Sequence, residues 1–520
     1  MADRQPQDTE EQQSNRHSRD LNSAEVSISR GKLSTGHAAI DLVLGGGIPR
    51  DSLYVLTGPP GAGKTIFAQQ ISFTAAKAGL RAIYFTNVSE PHAKIVEHIR
   101  GFDFYQPDLI GERIQIYNIT SQVRTKGFKE TLNFIVDTVR SEKADLVIID
   151  SFRGLKHVLE ISVRSRGAIF DAAAQLSILG CTSILVGEYT PDEIQTEPEF
   201  AIADGIINLA QATEGMAERR TFRIGKMRGV RYLSGEHSFE IDQSGIRLYP
   251  RQESLTHAPS YRATEERVST GLRDLDEMMH GGPIRSSSTL IVGSAGAGKT
   301  LLSLHFLAAG AQVGERGLLV SFQENPEQLR IRAEQFGIGG SLGLEDGLTE
   351  VLALSPVELN LDAAAYRIRE AVIARNVRHV VIDSVAELEF AVRDPDRFDD
   401  FLASLVGFLR EHEVTTVMTR EITQLFGTEL TIASRGLSYI VDNIVLLRYI
   451  ELHGEIKRAI TVLKNRGSNH DKRLRELLIM DGSIQIGDRF KNLSGVMTGM
   501  PQTIVEQPLD GNATIWKERA

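Results

Sequence analysis

The sequence predicts an α/β fold made of two tandem P-loop NTPase domains, each a mostly parallel sheet flanked by helices. Two glycine-rich runs, G-P-P-G-A-G-K-T at 58–65 and G-S-A-G-A-G-K-T at 293–300, match the phosphate-loop pattern in the same register, 235 residues apart. Each run stands between a short apolar stretch typical of a strand and a longer helical stretch. Alternation of strands and helices is typical of a parallel sheet with helices on both faces.

The upstream sequence is duplicated as well. A Ser-Thr-Gly triplet begins at Ser34 and again at Ser269, and each is followed at the same offset by an Asp, a Gly-Gly pair and an Arg. A whole domain is therefore repeated, and not only a loop. We expect five regions: a disordered polar tail at 1–23, a first ATPase domain at 24–250, a linker at 251–264, a second ATPase domain at 265–489, and a C-terminal tail at 490–520.

Each phosphate loop predicts a nucleotide site. Strands at 53–57 and 289–292 enter the loops, and helices at 66–77 and 301–311 leave them. Glycines let backbone N–H groups close around phosphate, the lysine reaches the β and γ oxygens, and the hydroxyl sits on Mg²⁺. The predicted nucleotide-binding residues are Gly58, Gly61, Ala62, Gly63, Lys64 and Thr65 in the first domain, and Gly293, Gly296, Ala297, Gly298, Lys299 and Thr300 in the second.

A later strand of each repeat ends in an acid, in L-V-I-I-D-S to Asp150 and Ser151 and in H-V-V-I-D-S to Asp383 and Ser384. An apolar strand that ends in Asp beside a phosphate loop fits a Walker B strand, which positions Mg²⁺ together with Thr65 or Thr300. The alternative is that each Asp caps the next turn.

Hydrolysis also needs a group that orients or deprotonates water, expected after the strand that follows the first helix. That position offers Ser89 and Glu90 in the first repeat and Gln323 and Glu324 in the second. Glu90 and Glu324 are interpreted as equivalent because each precedes a Phe by twelve residues. Either could instead be an acid favoured by the helix dipole in a first turn.

A basic pair in the pattern K-x-R-G recurs late in each repeat, as Lys226 with Arg228 and as Lys464 with Arg466. In ring ATPases such a pair can reach a neighbour's nucleotide and stabilise charge on the transferred phosphate. A solvated hairpin with two surface cations is the alternative reading.

Composition narrows the partners. The 520-residue chain has a net charge of −10 and an isoelectric point near 5.8, which makes nucleic acid an unlikely ligand class. Cys181 is the single cysteine, so an internal disulfide is excluded. The Cys181 thiol is expected to be buried in a strand. No apolar run approaches 18 residues and the N-terminus lacks a signal-peptide core. A cytoplasmic protein without a membrane partner is expected.

Taken together, these residues resemble the KaiC family of double-domain ATPases and autokinases, over residues 25–503. The most specific stretch is K-N-R-G-S-N-H-D-K at 464–472, followed by F-K-N-L at 490–493. The resemblance implies RecA-like domains, ATP with Mg²⁺, and a homo-hexamer of two stacked rings with nucleotide between subunits. Lys226, Arg228, Lys464 and Arg466 would then act on a neighbouring subunit.

Several positions depart from the family pattern. The family carries adjacent glutamates at the catalytic position of both domains, where this chain has Ser89-Glu90 and Gln323-Glu324. The family's autophosphorylated Ser-Thr pair falls on Ser438-Tyr439, which leaves Ser438 as a candidate acceptor or as an unmodified interface residue. The tail after Ile504 does not resemble the KaiA-binding end, so KaiA binding is not supported, whereas a KaiB-like partner stays open.

Three functions follow from these observations. The first is an ATP-binding, Mg²⁺-dependent hexameric ATPase with serine autokinase activity that serves as a circadian, timing or stress signalling regulator. The second is a nucleotide-gated scaffold that hydrolyses little, as the missing glutamates would imply. The third, a RecA-like DNA-dependent ATPase, fits the fold but finds no support in the acidic charge balance.

Overall fold

The structure is a computed structural model that describes residues 31–86, 92–158, 166–214, 217–256, 264–392, 395–422, 437–452, 454–480, 482–490, 493–494 and 502–503. The chain folds into two compact units, and the division falls between Leu255 and Thr256. Each unit has its own nine-stranded sheet, and the two sheets have the same strand order. The predicted class, two tandem α/β domains of the RecA-like type, is confirmed.

The first unit contains eleven described strands. They are β1 Lys32–Leu33, β2 Ile48–Pro49, β3 Leu53–Thr57, β4 Ala82–Thr86, β5 Ile114–Asn118, β6 Leu146–Asp150, β7 Thr182–Gly187, β8 Gly205–Glu214, β9 Ala217–Met227, β10 Glu236–Asp242 and β11 Gly245–Tyr249. The sheet runs in the order β11-β10-β9-β8-β3-β7-β6-β4-β5. The strands from β8 to β5 pair in parallel, and β8 to β11 form antiparallel hairpins.

Helices cover the sheet of the first unit. They are α1 Ala38–Val43, α2 Lys64–Lys77, α3 His92–Ile99, α4 Thr120–Lys126, α5 Phe128–Glu142, α6 Phe152–Val158, α7 Arg166–Ile178, α8 Pro191–Thr196 and α9 Pro198–Ile202, with 3₁₀ turns at Pro107–Leu109 and Gln252–Leu255. The central strands β3, β6 and β7 are buried throughout, as expected of parallel strands covered on both faces. Cys181, directly before β7, is buried as predicted.

The second unit repeats this plan. Its strands are β12 Ser288–Gly293, β13 Gly317–Ser321, β14 Thr349–Ala353, β15 His379–Asp383, β16 Thr415–Glu421, β17 Asn443–Leu452, β18 Glu455–Asn465, β19 Arg475–Met480 and β20 Ser483–Arg489, followed by the short β21 Leu493–Ser494 and β22 Gln502–Thr503. The sheet order is β14-β13-β15-β16-β12-β17-β18-β19-β20. The helices are α10 Arg273–Met278, α11 Lys299–Gln312, α12 Pro326–Gln335, α13 Leu361–Arg375, α14 Val385–Phe390, α15 Pro395–Glu411 and α16 Leu437–Ile440, with a 3₁₀ turn at Gly339–Ser341.

The duplicated Ser-Thr-Gly segment forms a structural turn. In the first unit the Asp41 carboxylate accepts hydrogen bonds from the Ser34 hydroxyl at 2.6 Å and from the Thr35 backbone N–H at 2.8 Å. Asp276 accepts the same pair of bonds from Ser269 and Thr270, at 2.6 Å and 2.8 Å. A partly buried carboxylate that organises the same loop in both units gives this motif a structural reason to recur.

Candidate nucleotide sites

The phosphate loops lie where the sequence predicts them, between the central strand of each sheet and the helix that follows. Loop 58–65 leaves β3 and opens α2, and loop 293–300 leaves β12 and opens α11. The last loop glycines, Gly63 and Gly298, have φ angles of 93° and 109°, a left-handed conformation that favours glycine. The loop backbone can therefore turn its N–H groups towards a phosphate at the helix N-terminus.

The loop lysines close over their own loops. The Lys64 ammonium donates hydrogen bonds to the carbonyls of Gly58 at 2.9 Å and Pro59 at 2.7 Å. Lys299 donates to Gly293 and Ser294, both at 2.9 Å. Burial is the largest influence on both lysines and lowers the pKa of each, while nearby carboxylates act in the opposite direction. An anionic phosphate would fit such a desolvated cation.

The candidate Mg²⁺ ligands lie in contact in both domains. The Thr65 hydroxyl donates to Asp150 at 2.8 Å, and the Thr300 hydroxyl donates to Asp383 at 2.6 Å. A hydroxyl and a carboxylate beside a phosphate site match the oxygen donors that Mg²⁺ prefers, and Mg²⁺ usually takes its remaining ligands from phosphate and water. Among the described residues no group of three or more His, Cys, Asp or Glu forms a separate metal cluster.

A second contact on the strand acid differs between the domains. In the first, the buried Tyr84 hydroxyl donates to Asp150 at 2.5 Å, and burial together with this carboxylate holds the pKa of Tyr84 well above its ordinary value. In the second, Leu319 occupies the position of Tyr84, and the Thr419 hydroxyl donates to Asp383 instead. Both Asp-Ser junctions that follow these acids have cis peptide bonds. Neither the second contact on the acid nor the cis peptide bond was predicted from the sequence.

Of the predicted catalytic positions, the structure describes those of the second domain, Gln323 and Glu324. The Gln323 amide donates to Glu387 at 2.8 Å, and Glu324 forms an ion pair with Arg332. Burial raises the pKa of the Glu324 carboxyl, which Arg332 partly offsets. The Oε2 atom of Glu324 is buried without a hydrogen-bond partner in the described part of the chain. Ser89 and Glu90 lie outside the described residues.

Strand register nevertheless relates the two catalytic segments. Thr86 pairs with Asp150 in β6, and Ser321 pairs with Asp383 in β15, so Thr86 and Ser321 are equivalent. Glu324 follows Ser321 by three residues, and Ser89 follows Thr86 by three. The register therefore aligns Ser89 with Glu324, whereas the spacing to the next Phe had matched Glu90 with Glu324. The two spacings disagree because the Phe lies eleven residues after Pro91 in the first repeat and ten residues after Pro326 in the second.

The basic pairs lie at the amino-terminal ends of the parallel strands, whereas the phosphate loops lie at the carboxyl ends. Lys226 pairs with Ile206 of β8, and Ile206 pairs with Val55 of β3. The Lys226 ammonium donates hydrogen bonds to the carbonyls of Phe200 and Ala201, at 3.4 Å and 3.3 Å, in the segment before β8. Gly58 follows Val55 by three residues, about 10 Å along the strand. Arg228 forms an ion pair with Asp204 at 3.4 Å.

The second domain repeats this placement. Lys464 donates to the carbonyls of Ser438 and Val441, both at 2.6 Å, and Arg466 lies 3.7 Å from Asp442. Burial is the largest influence on Lys226 and Lys464 and lowers the pKa of each, and the neighbouring arginine acts in the same direction. Ser438 and Tyr439 stand in α16 at this same edge, and the Tyr439 side chain is 67% exposed.

Comparison with known proteins agrees with this geometry. The sequence model of the family described as "ATPase: KaiC" matches residues 33–253 and 268–491, that is, both repeats. The chain belongs to the KaiC ATPase family. It is 30% identical to the circadian clock oscillator protein KaiC of Parathermosynechococcus lividus, over 96% of this chain and 94% of that protein. It is 31% identical to KaiC of Thermostichus vulcanus, over 91% and 92% of the two chains.

A third relative is the circadian clock protein KaiC3 of Synechocystis sp., which is 30% identical over 94% of this chain and 98% of the relative. The KaiC relatives thus align along nearly their whole length, which supports nucleotide binding and a regulator of the circadian type at the level of the family. None of the helices in the described part of the chain is long and apolar enough to cross a membrane.

The prediction from sequence missed one acid in each site. Glu188 follows β7, and its carboxylate lies 3.5 Å from the Lys64 ammonium. Glu421 ends β16 at the equivalent position, where it pairs with Gly293 and its charge raises the pKa of Lys299 against the larger effect of burial. The signal that could have found them is an acid at the carboxyl end of the strand adjacent to the loop strand, in both repeats.

Proposed function

We propose that this chain is a Mg²⁺-dependent ATPase that assembles as a hexameric ring and phosphorylates itself on Ser438, and that its nucleotide or phosphorylation state serves as a timing or stress signal. The single observation that carries the proposal is the repeated site, with a loop lysine that binds two carbonyls of its own loop and a Thr-Asp contact in each domain. Each lysine would hold the β and γ oxygens of ATP, and each Thr-Asp pair would hold Mg²⁺, which screens phosphate charge and orients the phosphates when bound.

The ring is supported by the position of the basic pairs. Their lysines bind carbonyls at the edge opposite their own phosphate loops, so the nucleotide of the same domain is out of their reach. In the proposed closed ring, a heterologous contact would bring this edge of one subunit against the phosphate loop of the next. Lys226 and Arg228 would then stabilise charge on the neighbour's transferred phosphate in the first ring, and Lys464 and Arg466 in the second.

The position of Ser438 beside Lys464 supports the proposed kinase activity. Ser438 lies exposed at the edge that carries Lys464, and Lys464 binds the Ser438 carbonyl. A phosphoryl group that reached Ser438 would therefore come from a neighbouring subunit. We propose Ser438 as the acceptor, with Tyr439 as the second candidate because its exposed phenol is close by. We further propose a cytoplasmic protein, a KaiB-like or other signalling partner, and no nucleic-acid ligand.

Mixed rings test the assignment in trans. Variants Lys64→Ala and Lys226→Ala, each in a Lys299→Ala background, should release little phosphate alone. When the two are mixed, some interfaces combine an intact Lys64 with an intact Lys226, and phosphate release should return. Mixtures that stay as inactive as the separate variants would refute action between subunits. As a matched control, mixing Lys64→Ala with Lys64→Met should restore nothing.

The nucleotide-gated scaffold is the second candidate. Ser89 aligns with Glu324, and Gln323 cannot accept a proton from water, which favours slow chemistry at both sites. In that case ATP would drive ring assembly, measured as mass in solution, without release of phosphate and without label on the protein.

A further inference from the structure

We propose that Glu188 is the catalytic carboxylate of the first site and accepts the proton of the water that attacks the γ-phosphate of ATP. This inference rests on the proposed function, because it requires that the first domain hydrolyses ATP. It deepens that function by assigning the acid which Ser89 cannot supply.

The position of Glu188 brings it to the phosphate edge of the sheet. Strand β7 lies beside β3, and its last residue, Gly187, pairs with Thr57, the residue before the phosphate loop. The Glu188 carboxylate lies 3.5 Å from the Lys64 ammonium. Because that ammonium is expected to contact the β and γ oxygens, a carboxylate within ion-pair distance of it lies next to the γ-phosphate. The Glu188 side chain is 50% exposed, so water can reach it.

The other acid near Lys64 is already committed. The Oδ2 atom of Asp150 accepts hydrogen bonds from Thr65 and from Tyr84, as a metal-positioning group requires. Asp150 is 9% exposed, whereas the Glu188 side chain is 50% exposed. Of these two carboxylates, Glu188 is therefore the one that water can reach.

The backbone around Glu188 is held firmly. The Arg153 guanidinium donates to the Glu188 carbonyl. The next residue, Tyr189, donates its hydroxyl to the buried Glu199 at 2.8 Å and packs edge-on against Phe200 at 4.8 Å between ring centres. A catalytic group must be fixed at its backbone while its side chain remains free to meet substrate, and this arrangement meets both conditions.

Recurrence supports a role in chemistry. Glu421 occupies the equivalent position in the second domain, where its charge acts on Lys299. The following residues differ, Tyr189 in one repeat and Ile422 in the other, so the repeats share the acid without sharing its immediate setting.

The proposed step is an in-line attack of water on the γ-phosphorus of ATP. The water oxygen forms a bond to the γ-phosphorus, and the bond between that phosphorus and the β–γ bridging oxygen breaks. The electron pair of the broken bond stays on the β-phosphate of ADP, and one proton of the water passes to a carboxylate oxygen of Glu188. Glu188 then returns this proton to solvent.

The experiment uses the full chain with Lys299→Ala, so that turnover comes from the first domain. In this parent, Glu188→Gln keeps the shape of the side chain and removes the proton acceptor. Phosphate release at saturating ATP should fall by at least about 100-fold, the usual contribution of a general base. Binding of a fluorescent ATP analogue should be unchanged or tighter, because the competing charge beside Lys64 is gone. Asp192→Asn, an exposed acid four residues along the chain, is the matched control and should retain turnover.

Three results would overturn the assignment. Glu188→Gln could retain turnover while Glu90→Gln loses it, which would give the role to Glu90. Glu188→Gln could lose nucleotide binding together with turnover, which would make Glu188 a structural residue. A Lys299→Ala parent that binds ATP but releases no phosphate would refute the proposed first-domain ATPase itself, and this is seen before any Glu188 variant is compared.

Discussion

Replacing Tyr84 by Phe should lower the stability of the first domain by more than the loss of one hydrogen bond between neutral groups would. The fully buried Tyr84 hydroxyl donates to the Asp150 carboxylate at 2.5 Å, and its raised pKa keeps it protonated at neutral pH. Phe retains the ring, so no large cavity forms. A hydrogen bond to a charged group contributes about 1.5–3 kcal/mol, and we expect this loss in the free energy of opening of the first domain.

Hydrogen exchange measured by mass spectrometry on the full chain reports this locally. A loss of that size corresponds to exchange that is roughly 10- to 100-fold faster in the amides of β4 and β6. The exchange rates of amides in β13 and β15 should not change, because the second domain has Leu319 at the position of Tyr84 and so has no equivalent hydrogen bond.

Tyr54→Phe is the matched control in the same sheet. The Tyr54 hydroxyl donates to the neutral Pro49 carbonyl at 3.0 Å, so its removal should cost about 0.5–1.5 kcal/mol. If Tyr84→Phe accelerated exchange no more than Tyr54→Phe, the charge-assisted bond to Asp150 would not have the strength that its geometry implies.

Three further predictions concern pH, the second site and the acceptor. Burial, aided by Arg247, lowers the pKa of His37 to about 4 from 6.5, so the first domain should lose stability as pH falls from 6.5 towards 4, and His37→Gln should flatten that profile in thermal melts. Gln323→Glu alone should not raise phosphate release in a Lys64→Ala chain, because the new carboxylate would face Glu387 at the present 2.8 Å contact; combined with Glu387→Gln it should, and equal rates for the single and double variants would contradict this. Ser438→Ala should remove protein-bound label from γ-labelled ATP, and label that persists would move the acceptor elsewhere.

The sequence predicted what local pattern determines. The positions of both phosphate loops were predicted from the glycine motifs and the apolar strands before them, because glycine spacing and strand length are local properties of the sequence. The positions of Asp150 and Asp383 at the ends of apolar strands were predicted for the same reason. The bounds of α2 and α11 were each predicted two residues late at the start, since a helix that opens within a phosphate loop lacks an ordinary side-chain cap.

What the sequence could not give depends on strand order. Tyr84, Thr419 and Glu188 approach the sites from strands distant in sequence, and their contacts appear only once the register of the sheet is known. Likewise, Lys226 lies at the end of the sheet away from its own phosphate loop because β9 runs antiparallel to β8. The spacing of the motifs along the chain carries no information about that strand direction.

The most direct test of the central claim follows released phosphate from purified chain with γ-labelled ATP and Mg²⁺, in the wild type and in the Lys64→Ala, Lys299→Ala double variant. We predict phosphate release by the wild type that stops when Mg²⁺ is chelated, and none above background from the double variant. Equal release by the wild type and the double variant would show that the two phosphate loops do not carry the activity and would contradict the account.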